Sequence, residues 1–240
     1  MANVPSPVTT EDAKGVEYLA VGAAMGIAAA VMTLVVPVVF LLLAVENPGG
    51  FFSFAPALLQ TTATLVLAGA ILFLVSLFLY RRSFARFRKV DRRFTAASVL
   101  CIIGSIGFLL LLVTAAVVLG NASSLVNCLH GQPSHALTCL RSGQPLGAYT
   151  GLAGFWLAWL GGLGIVVGVS MAGGRSRRPM LYAGAAVYAI LLLLLVGPFA
   201  AFVVPVPGIR DLLWVAPILA LLAPALVLAA SRMTPARAAA

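Results

Sequence analysis

The sequence predicts an all-α membrane protein, a polytopic bundle of about six transmembrane helices with both ends of the chain cytoplasmic. Three observations carry this prediction. The 240 residues are 62% hydrophobic and only 9% charged, whereas about a quarter of a soluble domain is charged. Six stretches lack any Asp, Glu, Lys, Arg or His, roughly 18–45, 54–80, 95–120, 147–172, 179–206 and 212–231. Each reaches the ~20 residues with which a helix crosses a ~30 Å hydrocarbon core, the last being the shortest. Finally, the basic residues gather on alternate connections, 13 on one side against 2 on the other. The positive-inside bias therefore places both termini, and the 13, in the cytoplasm of a cell-membrane protein.

The tail, residues 1–17, is polar and lacks the basic start and short apolar core of a cleaved signal, so the first apolar stretch is expected to stay as a span. That span carries Gly22-x3-Gly26-x3-Ala30, a spacing that lets two helix backbones approach closely. "ENPGGFFS" follows, without a basic residue, and then the second span, whose Gln60, Thr61, Thr62 and Thr64 form a small polar patch near its outer end. Hydroxyls there ordinarily bond back to their own helix, and a polar vestibule is the alternative.

The next connection, "YRRSFARFRKVDRRF", holds seven cations, Arg81, Arg82, Arg86, Arg88, Lys89, Arg92 and Arg93. Tyr80, Phe84, Phe87, Val90 or Asp91, and Phe94 recur at helical intervals between them. One reading runs the second helix past the membrane before it turns. Another lays the segment in the inner interface, aromatics in lipid and arginines on anionic headgroups or on a partner's acidic surface.

The third span contains Ala97-x3-Cys101-x3-Ser105, with Cys101 read as a small packing residue. The outer loop "CLHGQPSHALTC" brings Cys128, His130, His135 and Cys139 together. On the extracytoplasmic side the spacing favours a Cys128–Cys139 disulfide. Metal binding by the four residues is the weaker alternative, because C-x-H…H-x3-C matches no familiar zinc pattern, and two free thiols are the third. Asn121-Ala122-Ser123 is a glycan acceptor by pattern alone. The fourth span has the densest small residues, Gly154-x3-Ala158-x3-Gly162 and Gly164-x3-Gly168, and leads into Arg175, Arg177 and Arg178. Pro37, Pro198, Pro217 and Pro224 are expected to kink their spans. Asp211 is placed to cap the last helix, and residues 232–240 form the second cytoplasmic tail.

What the spans lack limits function further. An ionisable side chain within the bilayer is the usual mark of an ion path or proton relay, so a proton-driven pump or secondary transporter is not expected. There is no Walker A, HExxH or GxSxG pattern and no histidine pair for haem, hence no cofactor and no catalytic residue is assigned. The net charge of +9 resides in the connections and reports topology rather than nucleic-acid binding.

"LFLYRRSFARFRKVDRRFTAASVLCIIGSIGFLLLL" and "GLAGFWLAWLGGLGIVVGVSMAGGRSRRPMLYAGAAVYAILLLLLVGPF" resemble an uncharacterised family of small archaeal multi-span membrane proteins. The likeness covers about half the chain: a Tyr-Arg helix end, a basic connection, and a Gly-rich fourth span entering a short basic turn. It implies a helical membrane fold and no particular activity. The leading functional expectation is a non-catalytic subunit or scaffold of a membrane assembly, in contact with anionic lipids at the inner face and with a membrane-protein partner or a second copy. A channel or carrier for a neutral or apolar solute is the alternative. A lipid-interacting enzyme or binding protein, using His130, His135 or the arginines, is the third.

Overall fold

The computed structural model describes residues 10–35, 48–120, 145–176, 178–201 and 215–233, which are helical apart from short turns. Among these residues six α-helices follow one another: α1 Thr10–Ala30, α2 Pro48–Arg88, α3 Phe94–Gly120, α4 Pro145–Ser176, α5 Pro179–Ala201 and α6 Ala216–Arg232. A wider π turn, Val31–Val35, continues α1 and leans its Met32 and Thr33 on Gly69 of α2.

The helix ends carry the charges their dipoles favour. Glu11 and Asp12 occupy the first turn of α1, while Arg86 and Arg88, Arg175, and Arg232 occupy the last turns of α2, α4 and α6. Acids at the N-terminal and bases at the C-terminal ends offset the aligned peptide dipoles. Among the described residues, four helices are long and apolar enough to cross a membrane, over Thr10–Thr33, Leu67–Arg88, Phe94–Thr114 and Tyr149–Ser176. The Pro179–Leu194 part of α5 and the whole of α6 are apolar but shorter.

Each helix packs on its neighbours in sequence, and α6 closes back on α1, so the six form a ring in chain order. The start of α1 and the end of α6 share one end of the ring with the α2–α3 and α4–α5 turns. Hydrogen bonds there join Glu11 to Arg86, Asp12 to Arg175, and Arg178 to the carbonyls of Ala230 and Ser231.

Among the described residues, two polar ties cross the ring instead of following it. Asp12 of α1 meets Arg175 of α4 at the rim. Deeper in, the hydroxyls of Tyr80 on α2 and Tyr188 on α5 lie 3.3 Å apart. Around this pair Leu77, Phe84, Cys101, Val169 and Val227 are fully buried.

Of the two readings of the basic segment, the structure has the helix that runs on and then turns: α2 continues without a break through Arg88 before the turn at residues 89–93. Its aromatic stripe enters the bundle: Tyr80, Phe84, Phe87 and Phe94 are all buried, and Phe87 and Phe94 rest on each other with centroids 5.1 Å apart. The helix extends because those aromatics find protein rather than lipid on that face. Pro217, expected to kink its span, sits in the first turn of α6, where no intrahelical acceptor awaits its missing N–H. Pro224 does lie inside α6. Pro37 and Asp211 lie outside the described residues, and the cap expected of Asp211 is corrected, because α6 begins at Ala216 with Val215 at its N-cap and no side-chain cap hydrogen bond.

Small residues set the helix spacing. Lipid tails are as apolar as leucine, so helices in a bilayer associate through dispersion and hydrogen bonds, which close backbone approach strengthens. At the α3–α4 seam a methyl on Gly104 would run into the backbone of Gly161, and one on Gly107 into Leu157 and Ala158. Gly154 and Gly164 of α4 meet the carbonyl of Gly107 and the N–H of Cys101, at 3.0 Å from where a Cβ would stand. Gly162 instead receives Leu192 of α5, and Gly168 receives the ring of Phe84 from α2. Gly22 and Gly26 face Leu79 and Ser76 of α2. Gly22, Gly26, Gly154, Gly162, Gly164 and Gly168 thus each stand against a neighbouring helix of this chain.

Candidate functional site

Every charged side chain among the described residues lies at the ring end where α1 begins and α6 ends. Arg86 and Lys89, on the last turns of α2 and in the turn after it, bind Glu11 of α1 at 3.0 and 3.3 Å. The second ion pair is more sheltered. Arg175 donates through Nε and Nη2 to the two carboxylate oxygens of Asp12, at 2.9 and 3.1 Å, and Asp12 is buried. Such a forked contact fixes orientation as well as distance. Arg178, between α4 and α5, reaches over to α6 and donates to the carbonyls of Ala230 and Ser231, at 2.5 and 3.1 Å. Those carbonyls close a helix and lack intrahelical donors, so the guanidinium caps it. Partial burial lowers the affinity of Arg178 for its proton below the ordinary guanidinium value.

The seven cations of the α2–α3 connection separate into three groups. Arg86 and Lys89 engage Glu11. Arg81 and Arg82 lie over the Phe78 ring, 5.7 and 5.2 Å from its centroid, while Phe78 itself is exposed on the outer face of α2. Arg88, Arg92 and Arg93 stand exposed around the turn. That turn is held by the Asp91 carboxylate, which accepts from the backbone N–H of Arg93 at 3.0 Å, and by Thr95, whose hydroxyl donates to the Arg92 carbonyl at 2.7 Å. Between α1 and α2 a groove of about 270 Å³ opens outward, lined by Tyr18, Arg82, Ala85, Arg86 and Lys89.

Two serines hold α1 against α2 above this end. Ser83 donates to the carbonyl of Gly15 and Ser76 to that of Gly22, both at 2.7 Å and both buried. Sequence reasoning passed over these serines, the acids of α1 as ion-pair partners, Tyr188, and the Gly104, Gly107 and Gly161 contacts. Signals existed for several: Ser76 and Ser83 are one heptad apart, and "CIIGSIGF" carries Gly104 and Gly107 one helical turn apart.

Cys128, His130, His135 and Cys139 lie outside the described residues, as does Asn121. Cys101, the cysteine that is described, is a buried free thiol in the α3 packing face. Among the described residues no group of three or more His, Cys, Asp or Glu side chains could hold a metal ion. The side chains of Gln60, Thr61 and Thr62 also lie outside the described residues, and Thr64 is exposed.

These features define an all-helical protein with apolar helices of membrane-crossing length and one basic end. No family model, no curated protein and no solved structure matches the chain.

Proposed function

We propose that this chain is a six-span protein of the cell membrane and acts as a non-catalytic subunit or scaffold of a membrane assembly. The observation that favours this reading is the filled axis at the basic end. Tyr80 and Tyr188 meet from opposite sides of the ring, Phe84 seats against Gly168 beside them, and Asp12–Arg175 crosses the rim above. A body tied across its diameter suits holding and positioning a neighbour rather than passing a solute.

The basic end, with both termini, faces the cytoplasm in this reading, supported by the positive-inside bias. Its exposed Arg82, Arg88, Arg92 and Arg93 are free to meet anionic headgroups there. The resemblance to small archaeal multi-span proteins and the Cys128–Cys139 disulfide on the opposite face belong to the same proposal.

Extraction in a mild detergent followed by native mass spectrometry, before and after reduction, tests it. The expected result is a stoichiometric foreign subunit, with a two-proton mass gain on reduction. Recovery as a lone chain under every mild condition would overturn the scaffold reading. A cysteine at Arg92 in a Cys-free background should react with an impermeant maleimide only after cells are opened. Labelling of intact cells would reverse the orientation.

A further inference from the structure

We propose that the groove between α1 and α2 is a binding site for one anionic phospholipid, its phosphate held by Arg82, Arg86 and Lys89 and its acyl chains lying along the outer face of α2. This rests on the reading of the basic end as a membrane interface, and adds to it a defined site.

Charge supplies the first argument. Three cations and one carboxylate, Glu11, converge on the groove, which leaves an excess of positive charge. Glu11 engages Arg86 and Lys89, whereas Arg82 forms no ion pair among the described residues and is held by the face of Phe78. A guanidinium presents several N–H donors in a fork that fits phosphate oxygens, and stacking on a ring orients that fork without consuming its donors. Tyr18 adds a hydroxyl that can serve the ester or glycerol oxygens beside the phosphate.

Shape supplies the second. From Arg82 the exposed face of α2 continues through Phe78, Val75 and Ile71, at steps of four, three and four residues toward the middle of the bundle. On α1, Val21 stands exposed one turn beyond Tyr18. A polar groove of about 270 Å³ that passes directly into an apolar strip has the order of a lipid, headgroup first and chains after. A free phosphate would use only the groove and would leave the strip without a role.

The full-length protein, purified in detergent, is titrated with a short-chain phosphatidylglycerol and, in parallel, with the matching phosphatidylcholine and with inorganic phosphate. Bound lipid is read by native mass spectrometry. Phosphatidylglycerol is expected to bind at least tenfold tighter than phosphatidylcholine, with inorganic phosphate a poor competitor. Arg82→Gln should weaken phosphatidylglycerol about fivefold, the factor for loss of one basic group beside an anionic headgroup. Glu11→Gln, which removes the opposing charge, should strengthen it by a similar factor. Both positions are solvent-accessible, so the variants keep the fold, and opposite signs at two neighbours are not what a general loss of structure produces. Equal binding of both lipids, or no response to either substitution, would overturn the site. Displacement by inorganic phosphate at the affinity of the lipid would reduce it to an anion site and overturn the lipid assignment. Because a single purified chain is used, absence of a partner subunit leaves this result unaffected, and the two proposals fail separately.

Discussion

The α3–α4 seam and the α1–α2 seam join antiparallel helices of similar apolar character by different chemistry. Across α3–α4 glycine meets glycine: Gly104 lies on Gly161, Gly107 on Ala158 and Gly154 on the Gly107 carbonyl. The hydroxyls of Thr114 and Thr150 meet across it at 3.1 Å. Across α1–α2 the approach is also close at Gly15 and Gly22, but Ser76 and Ser83 add direct bonds to α1 carbonyls and the end is tied by Glu11. The first seam depends on having no side chain in the way. The second adds specific polar contacts that fix where α1 stops along α2. Dispersion holds either register of a smooth seam almost equally well, whereas a serine bonded to one carbonyl favours a single register.

The largest effect is expected where no side chain fits. Gly161→Leu should separate α3 from α4 and cost about 3 kcal/mol or more, since the colliding atoms are backbone and cannot rotate away. Thermal unfolding in detergent with size-exclusion chromatography reads the loss; an unchanged melting temperature and elution volume would show that the seam is looser than described. Next comes the cross-ring tie. Arg175→Ala leaves the buried Asp12 carboxylate without its guanidinium, and a loss of about 2 kcal/mol is expected for charge-assisted hydrogen bonds. This tie joins α1 to α4 and so should weaken both seams together. Ser83→Ala removes one buried bond and should cost about 1 kcal/mol, because membrane hydrogen bonds contribute modestly. If it matched Gly161→Leu, the distinction between the two seams would be lost. The smallest effect is at Glu11, whose ion pairs are partly open to solvent and screened by salt. Glu11→Gln should leave the melting temperature within error while changing lipid affinity, which separates a contact that binds from one that stabilises.

Some of this arrangement was legible in the residues. The aromatic stripe from Tyr80 to Phe94 was visible as a helical periodicity, yet its destination was not, since lipid and protein interior are both apolar and receive phenylalanine alike. Gly154, Ala158, Gly162, Gly164 and Gly168 could be recognised as packing residues, but they serve three different neighbours: α3, α5 and Phe84 of α2. Ala97-x3-Cys101-x3-Ser105 pointed to the right face of α3, where Ala97 and Cys101 are buried, while the closest approach belongs to Gly104 and Gly107 on the same face. The basic connection was found by charge alone. That it divides into pairs on Glu11, stacks on Phe78 and free turn residues depends on α1 standing beside α2.

By itself the sequence determined the class of molecule: apolar stretches of crossing length, charges confined to their ends, and no Asp, Glu, Lys, Arg or His within them. Those properties follow from the cost of placing charge in hydrocarbon, which is paid residue by residue and is written in composition. Only the tertiary structure decided that six helices close into a ring, that Asp12 reaches Arg175 and Tyr80 reaches Tyr188 across it, and which glycines face which backbones. These depend on the rotation of each helix about its own axis. In a soluble protein the apolar face announces that rotation; a helix surrounded by lipid is apolar on every side, so close contact between particular backbones sets it instead.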